Sequence, residues 1–290
     1  MIVKKAYGKV NLGLDIIGRR SDGYHLVKMI MQSLDIYDTL TFEKQESGID
    51  ITLAGEGGKG LSLGEDNLIY KAAACIIERT DYKGGIWITL DKNIPIAAGM
   101  AGGSSDCAAA LKGVNELLEA GLSEEELREI GVTLGADVPY CVMGGTALSE
   151  GIGEELTRLT PLPECVFVVA KPLCSVSTAE AYGGYDRLVE MGRDIPHPDI
   201  DAQVKALMAG DLDGVVSNFG NVLEYVTASL HPEIAELEKL MKESGAMNAM
   251  MSGSGPTVFG IYKDRVTAEE SAEKIKKSGL AAQLFVTTAI

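Results

Sequence analysis

The segment IPIAAGMAGGSSDCAAALKG, Ile94 to Gly113, constrains the fold of this chain more than any other. A β-rich run, GGIWITLDKNIPI, leaves its sheet at Pro95, and an alanine-rich helix is predicted from about Ser104 to Leu118. Between them the glycines cost conformational entropy on folding, so the loop must have a use for their freedom. Backbone N–H groups in such a loop converge on one point, and the following helix N-terminus adds about half a positive charge there. Together they make an anion site, most naturally for phosphate. Gly99, Gly102 and Gly103 admit a bulky polyphosphate without Cβ clashes, and Ser104 and Ser105 offer hydroxyls to phosphate oxygens or a metal. The loop is not a Walker motif, since no GK[ST] follows, nor does GMAGGS carry the glycine order of a dinucleotide fingerprint. A tight turn alone also uses glycine; the serine pair and the proline-led approach favour phosphate.

A phosphate site matters in a chain of formal net charge −16, where backbone dipoles supply positive potential without added cations. That charge argues against nonspecific nucleic-acid binding and against anionic membrane surfaces. No apolar run approaches the ~20 residues of a bilayer span, and the N-terminus lacks a signal-peptide pattern. Five cysteines, odd in number and without a CxxC, read as reduced thiols of a cytoplasmic protein. Three histidines, His25, His197 and His231, argue against a histidine-based metal site.

Along the chain, the first 60 residues read as strands, with two β-rich runs around Gly8. Helices are expected over DNLIYKAAACIIERT and over LSEEELREIGVTLG, the latter with Ser123 and Glu126 at capping-box spacing. The turn-rich GGTALSEGIGEELTRLTPLPE reads as a connection between domains, followed by a buried strand, CVFVVAKP. Three or four helices are expected between Thr178 and Gly245, one starting at His231 and Pro232. AMMSGSGPTVFGIYK reads as strand, glycine turn, strand, then a helix and a final strand. The length suits two cores, so the expectation is two α+β domains, 1–155 and 156–290.

Candidate chemical groups are few. Phosphoryl transfer needs a proton acceptor and positive charge on the transferring oxygens. Lys9, in the mostly apolar AYGKVNLGLD, offers charge, although a snorkelling edge lysine has the same sequence. Asp137, in LGADVPYCV, offers a base, although a turn aspartate reads identically. DGYHL, Asp22 to Leu26, sets an aromatic beside an imidazole, as a base-binding pocket or a plain hairpin turn would.

PIAAGMAGGSSDCAAA resembles the P-x-x-x-G-[LM]-[GA]-[GS]-[GS]-[SA]-S loop of the GHMP kinases. AYGKVNLGLDIIGRRSDGYHLVKMIMQSLDIYD, GADVPYCVMGGTAL, KPLCSVSTAEAY and MMSGSGPTVFG resemble one branch of that family, in the expected order from about residue 4 to residue 260. The resemblance implies an α+β fold: an N-terminal domain with the ATP loop, a ferredoxin-like C-terminal domain and an active site in the cleft. It implies ATP, with Mg²⁺, phosphorylating the 2-hydroxyl of a cytidine-diphosphate-linked methylerythritol in the non-mevalonate route to isoprenoid precursors. The alternative is a homoserine- or mevalonate-type member, whose substrates carry no base for RSDGYH to hold.

Carried over residue by residue, the resemblance makes Lys9 and Asp137 the catalytic pair. Pro95, Ile96, Ala97, Ala98, Gly99, Met100, Ala101, Gly102, Gly103, Ser104 and Ser105 would wrap the ATP phosphates. Asn67 and Lys92 lie where the nucleoside end is expected, and Mg²⁺ would come with ATP, near Ser104 or Ser105. Asn11 would place the erythritol, while Tyr24, His25 and Tyr182 hold the cytosine; Gly253 and Gly255 belong to a second loop facing the centre. The implied protein is a cytoplasmic monomer or weak homodimer with no nucleic-acid or membrane partner. Two departures stand out. Ala101 replaces a glycine, acceptable if its φ is negative or no ligand touches it. Val222 replaces a carboxylate, so FGNVLE receives no catalytic role.

Overall fold

The computed structural model describes residues 1–290, with strands and helices intermixed throughout. In chain order the elements begin β1 (Ile2–Arg19), β2 (His25–Gln45), β3 (Ile49–Leu53), α1 (Leu68–Thr80), β4 (Gly85–Asp91), α2 (Gly102–Leu117), α3 (Glu124–Leu134) and α4 (Val138–Met143). They continue with β5 (Thr146–Glu150), β6 (Glu155–Arg158), β7 (Val166–Pro172), α5 (Thr178–Glu190), α6 (Ile200–Ala209), α7 (Leu212–Ser217) and α8 (Glu224–Leu230). The last are α9 (Pro232–Glu243), β8 (Asn248–Met251), β9 (Val258–Tyr262), α10 (Arg265–Ser278) and β10 (Ala281–Thr288).

The chain forms two compact units that interleave in sequence. The first comprises residues 1–8, 36–96 and 101–144; the second comprises 9–35, 97–100 and 145–290. In the first unit, the C-terminal part of β2 pairs antiparallel with β4, from Thr39 opposite Asp91 to Gln45 opposite Gly85. β3 adds to β4 in parallel. Alternation along β2 buries Leu40 and Phe42 completely, and α1 to α4 supply Ile69, Ile76, Leu111, Val114, Leu127 and Val142 to the same core. The alanine run of α2 permits close packing. Gly113 is there for the same reason, because a Cβ would lie 2.3 Å from the Phe42 ring. The Ser123–Glu126 capping box starts α3 as expected.

In the second unit, β2 pairs antiparallel with β5 over Met29–Gln32, and β5 with β6. A separate antiparallel sheet runs β10-β7-β9-β8. Its Phe167, Phe259 and Tyr262 are fully buried, with Ile234, Leu237 and Met241 from α9 and Ile275 from α10. No helix is long and apolar enough to cross a membrane.

Three expectations are corrected. The two N-terminal β runs are one 18-residue strand, β1, continuous through Gly8; extended backbone tolerates glycine when neighbours fix it. The turn-rich stretch from Gly144 is not a bare connection but carries the β5–β6 hairpin, whose Ala147 and Ser149 are buried. Between Thr178 and Gly245 there are five helices, because short α7 and α8 lack a full apolar period.

Candidate active site

Within the second unit, the tip of the glycine loop meets β1 and the turn after β8. The Lys9 backbone N–H donates to the Met100 carbonyl at 3.1 Å. Ser252 Oγ donates to the Gly99 carbonyl at 3.0 Å and accepts from the Asn11 N–H at 3.3 Å. Gly99 and Gly253 are both left-handed, with φ +74° and +60°. A Cβ on Gly99 would strike the Ser252 carbonyl at 2.3 Å, and one on Gly253 would lie 3.2 Å from the Gly99 carbonyl. These glycines allow two loops to touch backbone to backbone.

Lys9 and Asn11, two residues apart, share one face of β1. The Lys9 ammonium donates to Asn11 Oδ1 at 2.7 Å, and Lys9 is only 4% exposed. It is therefore no snorkelling edge lysine. No carboxylate of its unit pairs with it. A buried cation held only by a neutral amide is costly unless an anion joins it. Gly253 stands beside this ammonium, its Cβ position 3.5 Å from Nζ.

FGNVLE, given no chemical role, holds the second glycine turn. Asn221 Nδ2 donates to the carbonyls of Met251 (2.9 Å) and Gly253 (2.8 Å), and Glu224 accepts from the Met251 N–H at 2.8 Å. Val222 is fully buried, so an apolar side chain suits that position. Thr227 and Thr178 fix Ser254 from the other side, through its carbonyl and its hydroxyl.

The first unit holds the loop's exit. α2 begins at Gly102, and Ala101 precedes it at φ +54°, ψ +30°. Its φ is positive, which removes the first of the two conditions under which alanine is acceptable there and leaves the second, that no ligand touches its methyl group. Ala97 is left-handed too, at φ +51°. Each alanine costs roughly 1–2 kcal/mol relative to a right-handed conformation, strain of the kind that gathers at functional loops. Ser105 is buried, and its hydroxyl donates to the Tyr7 carbonyl and towards Cys141 Sγ. Ser104 is half-buried, its hydroxyl not taken up by the protein. Gly103 is exposed, and a Cβ there would meet no heavy atom within 4 Å.

Lys92 is buried, bridging Asp38 and Asp106; its Nζ lies 2.6 Å from Asp106 Oδ2. Asp38 Oδ1 also accepts the N–H groups of Asn93 and Ile94, at 2.5 and 2.7 Å. The triad thus fastens the loop's incoming stem to the first turns of α2. Burial, opposed by Lys92 and reinforced by Asp38, pushes the Asp106 carboxyl up to about 8. Asn67 caps α1, accepting from the Ile69 N–H at 2.8 Å while its amide donates to the Ser62 carbonyl. Asp137 stands at the N-cap of α4 in a right-handed conformation, and its carboxylate makes no capping bond. It is half-buried.

The base-type residues lie in the second unit. Asp22 and Gly23 turn the chain between β1 and β2, and Tyr24 is 60% exposed. His25 packs against Tyr182 with ring centroids 4.9 Å apart and edge-on to Tyr185 at 6.4 Å. Its Nε2 lies 2.7 Å from Asp186 Oδ1, and Arg19 holds the other Asp186 oxygen at 3.2 Å. Tyr185 and Asp186 escaped the sequence reading. Their signal was available, since Tyr182, Tyr185 and Asp186 fall at i, i+3 and i+4 on one face of α5.

The family model for the GHMP kinases N terminal domain matches residues 67–145, and that for GHMP kinases C terminal matches 203–280. A 4-diphosphocytidyl-2-C-methyl-D-erythritol kinase from Lachnospira eligens is 46% identical over 287 residues, 98% of this chain and 96% of that protein. A crystal structure of a 4-(cytidine 5'-diphospho)-2C-methyl-D-erythritol kinase is similar at TM-score 0.81 and 32% identity, covering 99% of both chains. The homoserine kinase of Cytophaga hutchinsonii, at TM-score 0.76 and 19% identity over 100% of this chain and 94% of its own, shares the fold.

Proposed function

The chain belongs to the GHMP kinases, within the family of 4-diphosphocytidyl-2-C-methyl-D-erythritol kinases, and from that premise we infer what its residues do. It is a phosphotransferase that moves the γ-phosphoryl group of ATP to the 2-hydroxyl of 4-diphosphocytidyl-2-C-methyl-D-erythritol. The homoserine- and mevalonate-type alternative is more distant.

The observation that carries the mechanism is the buried Lys9 ammonium, held by Asn11 beside two glycine turns and lacking a carboxylate in its unit. Such a cation stabilises negative charge building on the transferring group, in a site where water does not screen it. Asp137, free of capping duty, accepts the proton of the attacking hydroxyl. Asn11 orients Lys9 and the erythritol. The N–H groups from Ile96 to Ser105 cradle the phosphates, led in by Pro95, with the α2 N-terminus behind them. Asn67 and Lys92 serve the nucleoside side, Lys92 by holding the loop stem through Asp38 and Asp106.

Mg²⁺ accompanies the ATP and supplies positive charge to the phosphate oxygens. Ser104, whose hydroxyl is uncommitted, is the residue offered to it; Ser105 is engaged with the Tyr7 carbonyl. Tyr24 and Tyr182 stack the cytosine and His25 reads its edge. The proposed division into 1–155 and 156–290 leaves one family match on each side, whereas the compact units interleave and change over at 144/145 in this stretch, ahead of the β5–β6 hairpin. The protein works in the cytoplasm, as a monomer or weak homodimer, on a small molecule and without nucleic acid or membrane. ADP release from ATP, measured in parallel with the cytidylyl substrate, homoserine and mevalonate, tests this reading. Turnover with the first alone is expected; equal turnover with either of the others would overturn the assignment.

A further inference from the structure

Outside the residues assigned to ATP and the cytidylyl substrate, a thiol, an imidazole and a carboxylate come together in the second unit. Ligand atoms of Cys174, His231 and Glu233 all lie within 4.8 Å of one another. His231 Nδ1 is 3.8 Å from Glu233 Oε1, and the Cys174 thiol hydrogen-bonds that carboxylate. We propose that Cys174, His231 and Glu233 form a binding site for a borderline-soft divalent cation of the Zn²⁺ class, which cross-links the segment after β7 to the α8–α9 junction.

The local sequence explains the convergence. β7 ends at Pro172, and Lys171 Nζ donates to the carbonyls of Pro172 (3.0 Å) and Cys174 (3.1 Å), fixing the bend that carries the thiol. His231 closes α8 and opens α9 at φ −130°, ψ 81°, with Pro232 at the start of α9. Its backbone N–H donates to the Thr227 carbonyl, but its imidazole makes no capping bond. Glu233 follows in the first turn of α9, on the side facing Cys174.

The donor set decides the metal. A thiolate, an imidazole and one carboxylate suit Zn²⁺ over Mg²⁺ or Ca²⁺, which take oxygen ligands. Bond lengths of ~2.0–2.3 Å in a tetrahedron put ligand atoms roughly 3.3–3.8 Å apart. The His231–Glu233 separation is already at that spacing. All three residues are half-buried, which leaves a fourth position for water. Binding displaces the Cys174 thiol proton to solvent as the metal–sulfur bond forms. Counting histidines in the sequence missed this set, because only one of its ligands is histidine.

The cross-link would bear on the second glycine turn. Thr178, four residues after Cys174, contacts Ser254, and Thr227, one helical turn before His231, donates to the Ser254 carbonyl.

The test uses the full chain freed of metal with a chelator. Titration with Co²⁺ alone is followed by absorption and titration with Zn²⁺ alone by calorimetry, for wild type, Cys174→Ser, His231→Ala and a control, Cys75→Ser. Loss of an outer-shell partner alone weakens a metal about 10–100-fold, so each ligand variant should weaken it at least about 100-fold. The expected result is one equivalent bound, a thiolate-to-cobalt charge-transfer band absent from Cys174→Ser, and a control that matches wild type. Kinase activity of chelator-treated Cys174→Ser equal to that of the chelator-treated wild type, both assayed with Mg²⁺ and ATP resupplied and Zn²⁺ left out, shows that the variant is folded. Absence of the band in the wild type, or equal affinity in Cys174→Ser, overturns the proposal, and neither outcome touches the kinase assignment.

Discussion

Lys9 Nζ sits 2.7 Å from Asn11 Oδ1, two residues along one strand, in a position that water barely reaches. The structure keeps a charge where folding alone would prefer a methyl group, which separates its contribution to stability from its contribution to chemistry. Replacing a buried ion by an apolar side chain of similar volume is often neutral or stabilising. Removing a preorganised charge-stabilising donor costs about 10²–10³ in rate. Lys9→Met is therefore expected to melt at or above the wild-type temperature while kcat falls by about that factor. A coincident loss of stability and activity would make Lys9 a structural residue.

The two kinds of glycine in the loop should separate in the same way. Gly103 has open space around its Cβ position, whereas Gly99, at φ +74°, would drive a Cβ into the Ser252 carbonyl. Gly103→Val should leave the melting temperature nearly unchanged and weaken ATP analogues in calorimetry. Gly99→Ala should destabilise the chain before any ligand is added. Unchanged nucleotide affinity in Gly103→Val would return that position to an ordinary helix start.

Stacking on an aromatic face contributes about 1–3 kcal/mol per base. Tyr24→Ala should raise KM for the cytidylyl substrate by roughly one to two powers of ten, with KM for ATP unchanged. Asp186 touches His25, not the base, and acts as a positioning residue. Asp186→Asn should narrow the preference for the cytidine substrate over its uridine analogue, because the imidazole loses its fixed orientation. Equal acceptance of both bases by the wild type would contradict the pocket.

A pH dependence of stability follows from Glu224 and Glu238. Both carboxyls are pushed above the usual carboxylate range, chiefly by burial; Glu238, which donates to Glu224, reaches about 8. Unfolded, Glu238 ionises near 4.5. Between these values the native state holds more protons than the unfolded state, so stability falls as pH rises through that window. Denaturant melts from pH 5 to 8 should show this decline, and Glu238→Gln should flatten it. A slope unaffected by the substitution would locate the effect elsewhere.

Sequence made the glycine loop ahead of α2, the α3 capping box, the strand–turn–strand of β8 and β9 and the helix at Pro232 legible, because each is local: glycine order, capping spacing, proline position. It did not reveal that Lys9 is buried, since AYGKVNLGL reads alike in an edge strand and in a core. Nor did it reveal the Lys92–Asp38–Asp106 triad, whose members are up to 68 positions apart in sequence and whose pairing is tertiary. Asp186 was readable from helical spacing beside Tyr182, but only once His25 had been set against α5. At Ala101 the sequence left two conditions open, a negative φ or no ligand contact, and the loop's φ of +54° removes the first.

The most direct test follows the phosphoryl group itself. Wild type and Asp137→Asn are each mixed with ATP, Mg²⁺ and 4-diphosphocytidyl-2-C-methyl-D-erythritol, and the product is followed by phosphorus NMR. The account predicts a new phosphate ester on the 2-hydroxyl with wild type, formed about 10²–10⁴-fold more slowly by Asp137→Asn, with ATP affinity little changed. Phosphate appearing at another position, or a near-normal rate in Asp137→Asn, would contradict it.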